Sequence, residues 1–349
     1  MPTLSYAFYR LPYADSYTLI TSEQPPQEVD RPDRLGEIPG FVLFPFHQSA
    51  ENPALLILPD CIKNYRLEPA GKNILHNGKS ETADVTQQPD SLYATAFDAF
   101  HDAVEKGAFR KLVLARSKTL ALGNEMDVND PQAMRSLFEK ACRLYPRLMV
   151  MLYTTPKSGT WLVASPEILV DGKSRSMHTV ALAGTMPFQE GHIDWSEKNK
   201  QEQHIVEQYI EGIITQMSSD VLKDGPVTMR AGNLVHLRTD FRFHLAQDMS
   251  LGTLVQHLHP TPAVCGMPKQ DAAGFIATHE GLDRRYYSGF AGPVDIQGET
   301  HLYVALRCAE LHETTATLYA GGGIMPGSDC LSEWQETESK MKTIQHVLQ

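Results

Sequence analysis

The chain has 349 residues, 42% of them hydrophobic, and a formal net charge of −11. It can bury a large core, and its acidic balance disfavours nucleic acid and anionic membranes as partners. No run approaches the roughly 18 consecutive apolar residues of a membrane span. The opening MPTLSYAFYR lacks a basic stretch followed by an apolar one, so a cytoplasmic protein without membrane association is expected. The cysteines, Cys61, Cys142, Cys265, Cys308 and Cys330, are scattered and form no CxxC pair, which points to reduced thiols rather than a disulfide framework or a zinc site.

The first 85 or so residues read as strand-rich, with the short apolar runs GFVLFPF (40–46) and ALLILPD (54–60) bounded by Pro, Gly and Asp, and they show no chemistry. From Asp90 the pattern becomes helical, with Leu92, Phe97, Phe100 and Val104 on one side, and after Gly107 comes the strand KLVLARSKTLAL (111–122). A helix over 131–145, strands at LMVMLYTT (148–155) and GTWLVASPEILVDG (159–172), and a helix over 196–217 follow. The last third returns to strands, NLVHLRTDFRFHL (233–245), THLYVALRCAELHE (300–313) and TATLYAGGGI (315–324), the final two joined by a short polar turn as in a hairpin. Nothing marks a linker or an internal repeat. The expectation is one α+β domain over 1–349, with a strand-rich N-terminal part (1–85) and a part carrying the chemistry (90–349).

The most informative segment is LYAGGGIMPGSDCLSEWQETESK (318–340), a strand that runs through Gly321, Gly322 and Gly323 toward a helix. Three glycines remove the side chains where the strand ends and let backbone N–H groups approach a ligand. Glu333, Glu336 and Lys340 recur at i, i+3 and i+7 beside the apolar row Trp334, Met341, Ile344 and Leu348, so charge lies next to the core.

Other charged residues fall at positions that should be buried. Glu202 shares the apolar helix face of Val206, Ile210 and Ile213, and it is either solvated at a frayed helix start or neutralised by a cation. Alternation in LYVALRCA places Arg307 with Tyr303, Ala305 and Ala309, where small neighbours leave room for an anion or for a structural salt bridge. Lys111 shares a strand face with Val113 and Ala115, although a lysine at a strand start is commonly solvated. Glu167 follows Pro166 at the end of an apolar strand and is a candidate acid. No HExxH, GxSxG, Walker loop or dinucleotide fingerprint is present.

Eight blocks occur in order over 109–340: FRKLVLAR (109–116), SPEILV (165–170), LAGT (182–185), EKNKQEQHIV (197–206), LHPTPAVCGMP (258–268), GFAGPV (289–294), VALRCA (304–309) and GGGIMPGSDCLSEWQETESK (321–340). Together they resemble the chorismate-utilising enzymes, and among these the isochorismate synthases. The resemblance implies a large two-sheet antiparallel β-sandwich with flanking helices. It implies one Mg²⁺ held by Glu202 and Glu336, and chorismate held by Arg307, Lys340, Gly184, Thr185, Ala263, Gly321 and Gly322. In the implied reaction Lys111 activates water for addition at ring carbon 2, and Glu167 protonates the hydroxyl leaving carbon 4. The two roles require unusual protonation states, a lysine lowered by burial and nearby cations and a glutamate raised by an apolar or anionic setting. Such chemistry serves both menaquinone and siderophore synthesis.

The chain departs from the family pattern in AGTMPFQEG, which lacks the Arg-Gly common after AGT, and in Glu202-Gln203, where Glu-His is usual. Rival activities within the resemblance are those of a salicylate synthase, which goes on to eliminate pyruvate, and of an anthranilate or aminodeoxychorismate synthase component I, which uses ammonia. HPTPAVCG and Lys111 favour water chemistry. A non-catalytic anion-binding protein is the reading from another class.

Overall fold

The computed structural model describes residues 5–68, 88–123, 125–191, 193–218 and 220–349. Among these residues the strands in chain order are β1 (Ser5–Arg10), β2 (Ser16–Ser22), β3 (Gln27–Glu28), β4 (Gly40–Phe44), β5 (Leu55–Ile57), β6 (Cys61–Arg66), β7 (Lys111–Ala121), β8 (Met149–Thr155), β9 (Gly159–Ser165), β10 (Ile168–Lys173), β11 (Ser176–Pro187), β12 (Leu222–Ala231), β13 (Leu234–His244), β14 (Gly266–Met267), β15 (Phe290–Val294), β16 (Glu299–Val304), β17 (Cys308–Leu311) and β18 (Thr315–Ile324). The helices are α1 (Ser91–Glu105), α2 (Pro131–Leu144), α3 (Glu197–Met217), α4 (Leu251–Leu258), α5 (Lys269–His279) and α6 (Cys330–Leu348). The strand-rich N-terminal part is present as β1 to β6; the rest of it, from 69 to 85, lies outside the described residues.

The strands form two antiparallel sheets of nine. One is ordered β14-β7-β18-β17-β9-β8-β1-β2-β6, the other β12-β13-β11-β10-β16-β15-β4-β5-β3, so the expected two-sheet α+β sandwich is found. The sheets pack face to face through Tyr9, Met151, Tyr153, Trp161 and Tyr319 from the first and Phe41, Leu43, Val180, Leu182 and Tyr303 from the second. Helices cover the outer faces. Val206, Ile210 and Ile214 of α3 and Leu254 and Leu258 of α4 pack on the second sheet, while Phe138 of α2 and Met341 and Ile344 of α6 pack on the first. Strands covered on both faces are apolar throughout, which is why MVMLYTT and GFVLF read as continuous rather than alternating runs.

Two expected strands are each broken in two. The segment 159–172 divides at Pro166-Glu167, with β9 in the first sheet and β10 in the second, and the segment 300–313 divides at 305–307, with β16 in the second sheet and β17 in the first. Pro166 has no N–H to give a ladder, and Arg307 adopts φ +47°, a backbone conformation that interrupts alternation. Cys308 therefore joins Tyr303 and Ala305 in the inter-sheet core, contrary to the expected placement on the opposite face. The two crossings lie side by side: Val304 N donates to the carbonyl of Glu167 at 3.0 Å, and Ala164 N donates to the carbonyl of Arg307 at 3.1 Å.

Leu92 also differs from expectation, being exposed, while α1 buries Tyr93, Ala96, Phe97, Phe100 and Val104. The Asp90 carboxylate caps the helix by accepting from Tyr93 N at 2.8 Å, which fixes the rotation of the first turn and turns Tyr93 inward.

Candidate active site

The triple glycine sits on β18 opposite β7, with Gly321 beside Ala115, Gly322 beside Leu114 and Gly323 beside Val113. Its lack of side chains creates the site. A Cβ at Gly323 would overlap the Glu202 carboxylate and crowd Cε of Lys111; one at Gly322 would come 3.0 Å from Oε2 of Glu333 and 3.8 Å from Oε1 of Glu336. One at Gly321 would lie 3.0 Å from the Tyr287 hydroxyl. Two helix caps set the acidic residues: Ser196 accepts from Asn199 N ahead of Lys198 and Glu202 on α3, and Asp329 accepts from Ser332 N ahead of Glu333 and Glu336 on α6.

Between the sheets lies a cleft lined by Glu167, Gly184, Thr185, Glu202, Ala263, Arg307, Gly321 and Lys340. Eight of the residues expected from sequence thus share one wall. Lys111 lies directly behind it, fully buried, with Nζ 2.8 Å from Oε1 of Glu202. The solvated strand start is excluded, and the apolar-face position of Glu202 is explained by this cation. Glu336 is joined to the wall through Lys340, whose Nζ lies 2.7 Å from Oε1 of Glu336 and donates to the carbonyl of Gly321 at 2.8 Å. Gly322 does not line the cleft; by strand alternation it turns the other way and makes room for Glu333.

The two carboxyl groups on the cleft have opposite protonation. Burial pushes Glu167 up to about 8, against the opposing influence of Lys111, a hydrogen bond from Thr261 and Lys340. The Thr261 hydroxyl donates to Oε1 of Glu167 at 3.4 Å. At neutral pH this is a carboxylic acid. Burial acts in the same sense on Glu202, yet Lys111, Lys340 and Lys198 together outweigh it and hold the group below the usual carboxylate range. It is an anion.

Arg307 is buried, and burial pulls it down to about 10. Its Nη1 donates to the carbonyl of Ala231 at 2.9 Å, and its Nη2 donates to Nε2 of His236. Nδ1–H of His236 donates to the carbonyl of Gly184 at 3.0 Å, so the two partners fix the tautomer. Burial, with Arg307 and Lys340 nearby, keeps this imidazole neutral, well below its ordinary value. Among the described residues no carboxylate lies within ion-pair distance of Arg307. A buried guanidinium facing a cleft without a counter-ion is a receptor for an anion.

The sequence reading did not assign roles to Glu333, Lys198, Thr261, His236 or Tyr287. Glu333 was visible one turn before Glu336, and Lys198 one turn before Glu202. Lys198 forms an ion pair with the buried Glu333. Burial first, then the neighbouring Glu336, raises Glu333, with Lys198 and Ser328 offsetting part of the effect. His236 and Tyr287 reach the cleft only through the tertiary fold. Among the described residues no three His, Cys, Asp or Glu side chains close into a preformed metal cage; instead Glu202, Glu333 and Glu336 each pair with a lysine.

Residues 61–349 match the family described as chorismate binding enzyme. The chain is 26% identical over 348 residues to isochorismate synthase EntC of Escherichia coli (strain K12), covering 96% of this chain and 86% of that protein. It is 33% identical over 260 residues to a salicylate biosynthesis isochorismate synthase of Pseudomonas aeruginosa, covering 70% of this chain and 52% of that one. The fold resembles that of MenF, the menaquinone-specific isochorismate synthase from E. coli, with a TM-score of 0.80 at 21% identity over 100% of this chain and 90% of that one. No helix among the described residues is long and apolar enough to cross a membrane.

Proposed function

The chain belongs to the chorismate-binding enzyme family, and on that premise we propose that it is an isochorismate synthase, an isomerase that adds water at ring carbon 2 of chorismate and releases the hydroxyl from carbon 4. The observation that carries this reading is the pairing of a protonated Glu167 with a buried amine, Lys111, near one cleft. Loss of hydroxide from carbon 4 is slow unless an acid supplies a proton, and Glu167 holds one at neutral pH. In its amine form, after giving up the proton that pairs it with Glu202, Lys111 takes the proton from the attacking water. The two transfers balance, so the reaction is a net isomerisation.

Arg307 and Lys340 bind the carboxylates of the dianionic substrate, and Arg307 can offer two parallel hydrogen bonds to one of them. Gly184, Thr185, Ala263 and Gly321 shape the wall against the ring. Tyr287, with its hydroxyl beside Gly321, adds a donor.

The same reading includes one Mg²⁺. Glu202 and Glu336, with Glu333 beside them, are the hard oxygen donors this ion prefers, and the ammonium of Lys198 already stands as a cation among them. The residues fit the ion. When bound, it supplies positive charge for the ring carboxylate of chorismate. Glu202 and Glu336 would hold it directly, and Glu333 would support them.

The test is incubation of the pure protein with chorismate and Mg²⁺, with and without ammonium, and identification of the product. Isochorismate in both conditions is expected. Salicylate, or an amino-substituted product that depends on ammonium, would assign the protein to another activity of the family, and no turnover would remove it from all of them.

A further inference from the structure

Three carboxylates from two helices crowd the end of β18, and among the described residues three lysines offset them unequally. Lys111 serves Glu202 at 2.8 Å and Lys340 serves Glu336 at 2.7 Å. Lys198 stands differently. It lies one turn ahead of Glu202 on the same face of α3, and it reaches across to Glu333 in the first turn of α6. Glu333 is 3% exposed, whereas the Lys198 side chain is 34% exposed. The Ser328 hydroxyl also donates to Oε1 of Glu333, at 2.9 Å, so the buried acceptor is fixed while its cation is not. Glu202, Glu333 and Glu336 all act on Lys198 and favour its charged form against the cost of burial.

We propose that Lys198 is the resident cation of this carboxylate cluster, tying α3 to α6 across the glycine strand in the metal-free protein and giving way when a divalent cation arrives. This rests on the Mg²⁺ reading above and adds to it a residue that competes with the ion. Glu336 lies near enough to Glu333 to raise it, and carboxylates that act on one another in a desolvated setting need a neighbouring positive charge. A lysine suits a temporary occupant. Its ammonium is a compact charge on a four-carbon stem that can swing to water, and its partial exposure gives it a path outward. Lys111 and Lys340 lack that freedom, since Lys111 is fully buried and Lys340 is also bound to the Gly321 carbonyl.

The competition has a cost and a benefit that can be measured separately. Mg²⁺ must displace an ammonium, which weakens its apparent affinity. In its absence Lys198 prevents the three carboxylates from repelling α3 and α6 apart. A merely structural link would act alike with and without the ion.

The experiment is calorimetric titration of Mg²⁺ into the wild-type full-length protein and into Lys198→Met, together with thermal melts of each in a chelator and in saturating Mg²⁺. Lys198→Met should bind Mg²⁺ on the order of tenfold more tightly, since a positive charge leaves the site. Its melting temperature should fall in chelator and return to the wild-type value with Mg²⁺. Lys198→Gln, which keeps a hydrogen-bond donor near Glu333 without the charge, gives the same readout if the Met variant does not fold; Lys198→Arg should bind as the wild type does. Equal or weaker Mg²⁺ binding by the neutral variants, with the wild type binding normally, would overturn the proposal for Lys198 alone. No Mg²⁺ binding by wild type or variant would overturn it together with the metal reading.

Discussion

Lys111 on β7 and Glu202 on α3 meet in an ion pair of 2.8 Å in which the lysine side chain is 1% and the glutamate 13% exposed. The two residues belong to opposite sheets' layers, so the pair ties the helix covering one sheet to the other sheet behind the cleft wall. Removing one partner of such a pair strands the remaining charge. Lys111→Met and Glu202→Gln should each lose about 3 kcal/mol of unfolding free energy. The double variant should lose clearly less than the sum, because neither charge is then left alone. Urea unfolding of the three variants checks this, and additive losses would mean that the pair contributes nothing as a pair.

Glu167 gives a prediction in pH. Its carboxyl titrates at about 8 in the folded protein, from an ordinary value of 4.5, so the folded state binds a proton there that the unfolded state releases. The sign follows from linkage. The contribution to stability is fully present below pH 4.5 and is lost as pH rises through about 8. Wild-type protein should therefore lose stability relative to Glu167→Gln between about pH 5 and 8, measured by urea unfolding at a series of pH values. Turnover should also fall as the acid form is titrated away above pH 8, and Glu167→Ala should lower kcat by about 10²- to 10⁴-fold with the fold intact.

Much of this site was legible in the sequence, and the limits were physical. Helical period placed Glu202 on an apolar face, and the spacing of Glu336 and Lys340 put them on one side of α6, because α-helices repeat the same geometry wherever they occur. Strand alternation was less dependable. It assumed that the chain through Arg307 stays in one sheet, whereas the strand ends at Val304 and the chain crosses over, a change that no local propensity records. The protonated state of Glu167 depends on burial and on Thr261, far away in the chain. His236 was one of fourteen histidines until the fold brought it against Arg307. Gly322, read as a substrate contact, faces Glu333 on the other side of the strand.

The glycines separate two spatial requirements. Gly323→Ala would drive a methyl group into the Glu202 carboxylate and the Lys111 stem, so it should cost about 1–3 kcal/mol of stability and abolish measurable turnover. Gly322→Ala would come no nearer than 3.0 Å to Oε2 of Glu333, a contact relieved by a shift of a few tenths of an ångström, and should cost less on both counts. Thermal melts and initial rates of the two variants provide the comparison.

Arg307 predicts a loss in binding. Lys in its place keeps a positive charge but loses the planar fork that serves Ala231, His236 and an incoming carboxylate together. Arg307→Lys should weaken chorismate binding by about 10- to 100-fold, read as KM in steady state and as Kd in a non-turnover titration with the Glu167→Gln variant as background. An unchanged KM would show that the guanidinium faces a structural partner and not the substrate.

The most direct test of the account is turnover of chorismate in water enriched in ¹⁸O, with mass analysis of the isochorismate formed. Water addition at carbon 2 with departure of the carbon 4 hydroxyl predicts one heavy oxygen in each product molecule, located at carbon 2. Unlabelled isochorismate would contradict it, because the original hydroxyl would then have migrated without help from the Lys111 and Glu167 pair.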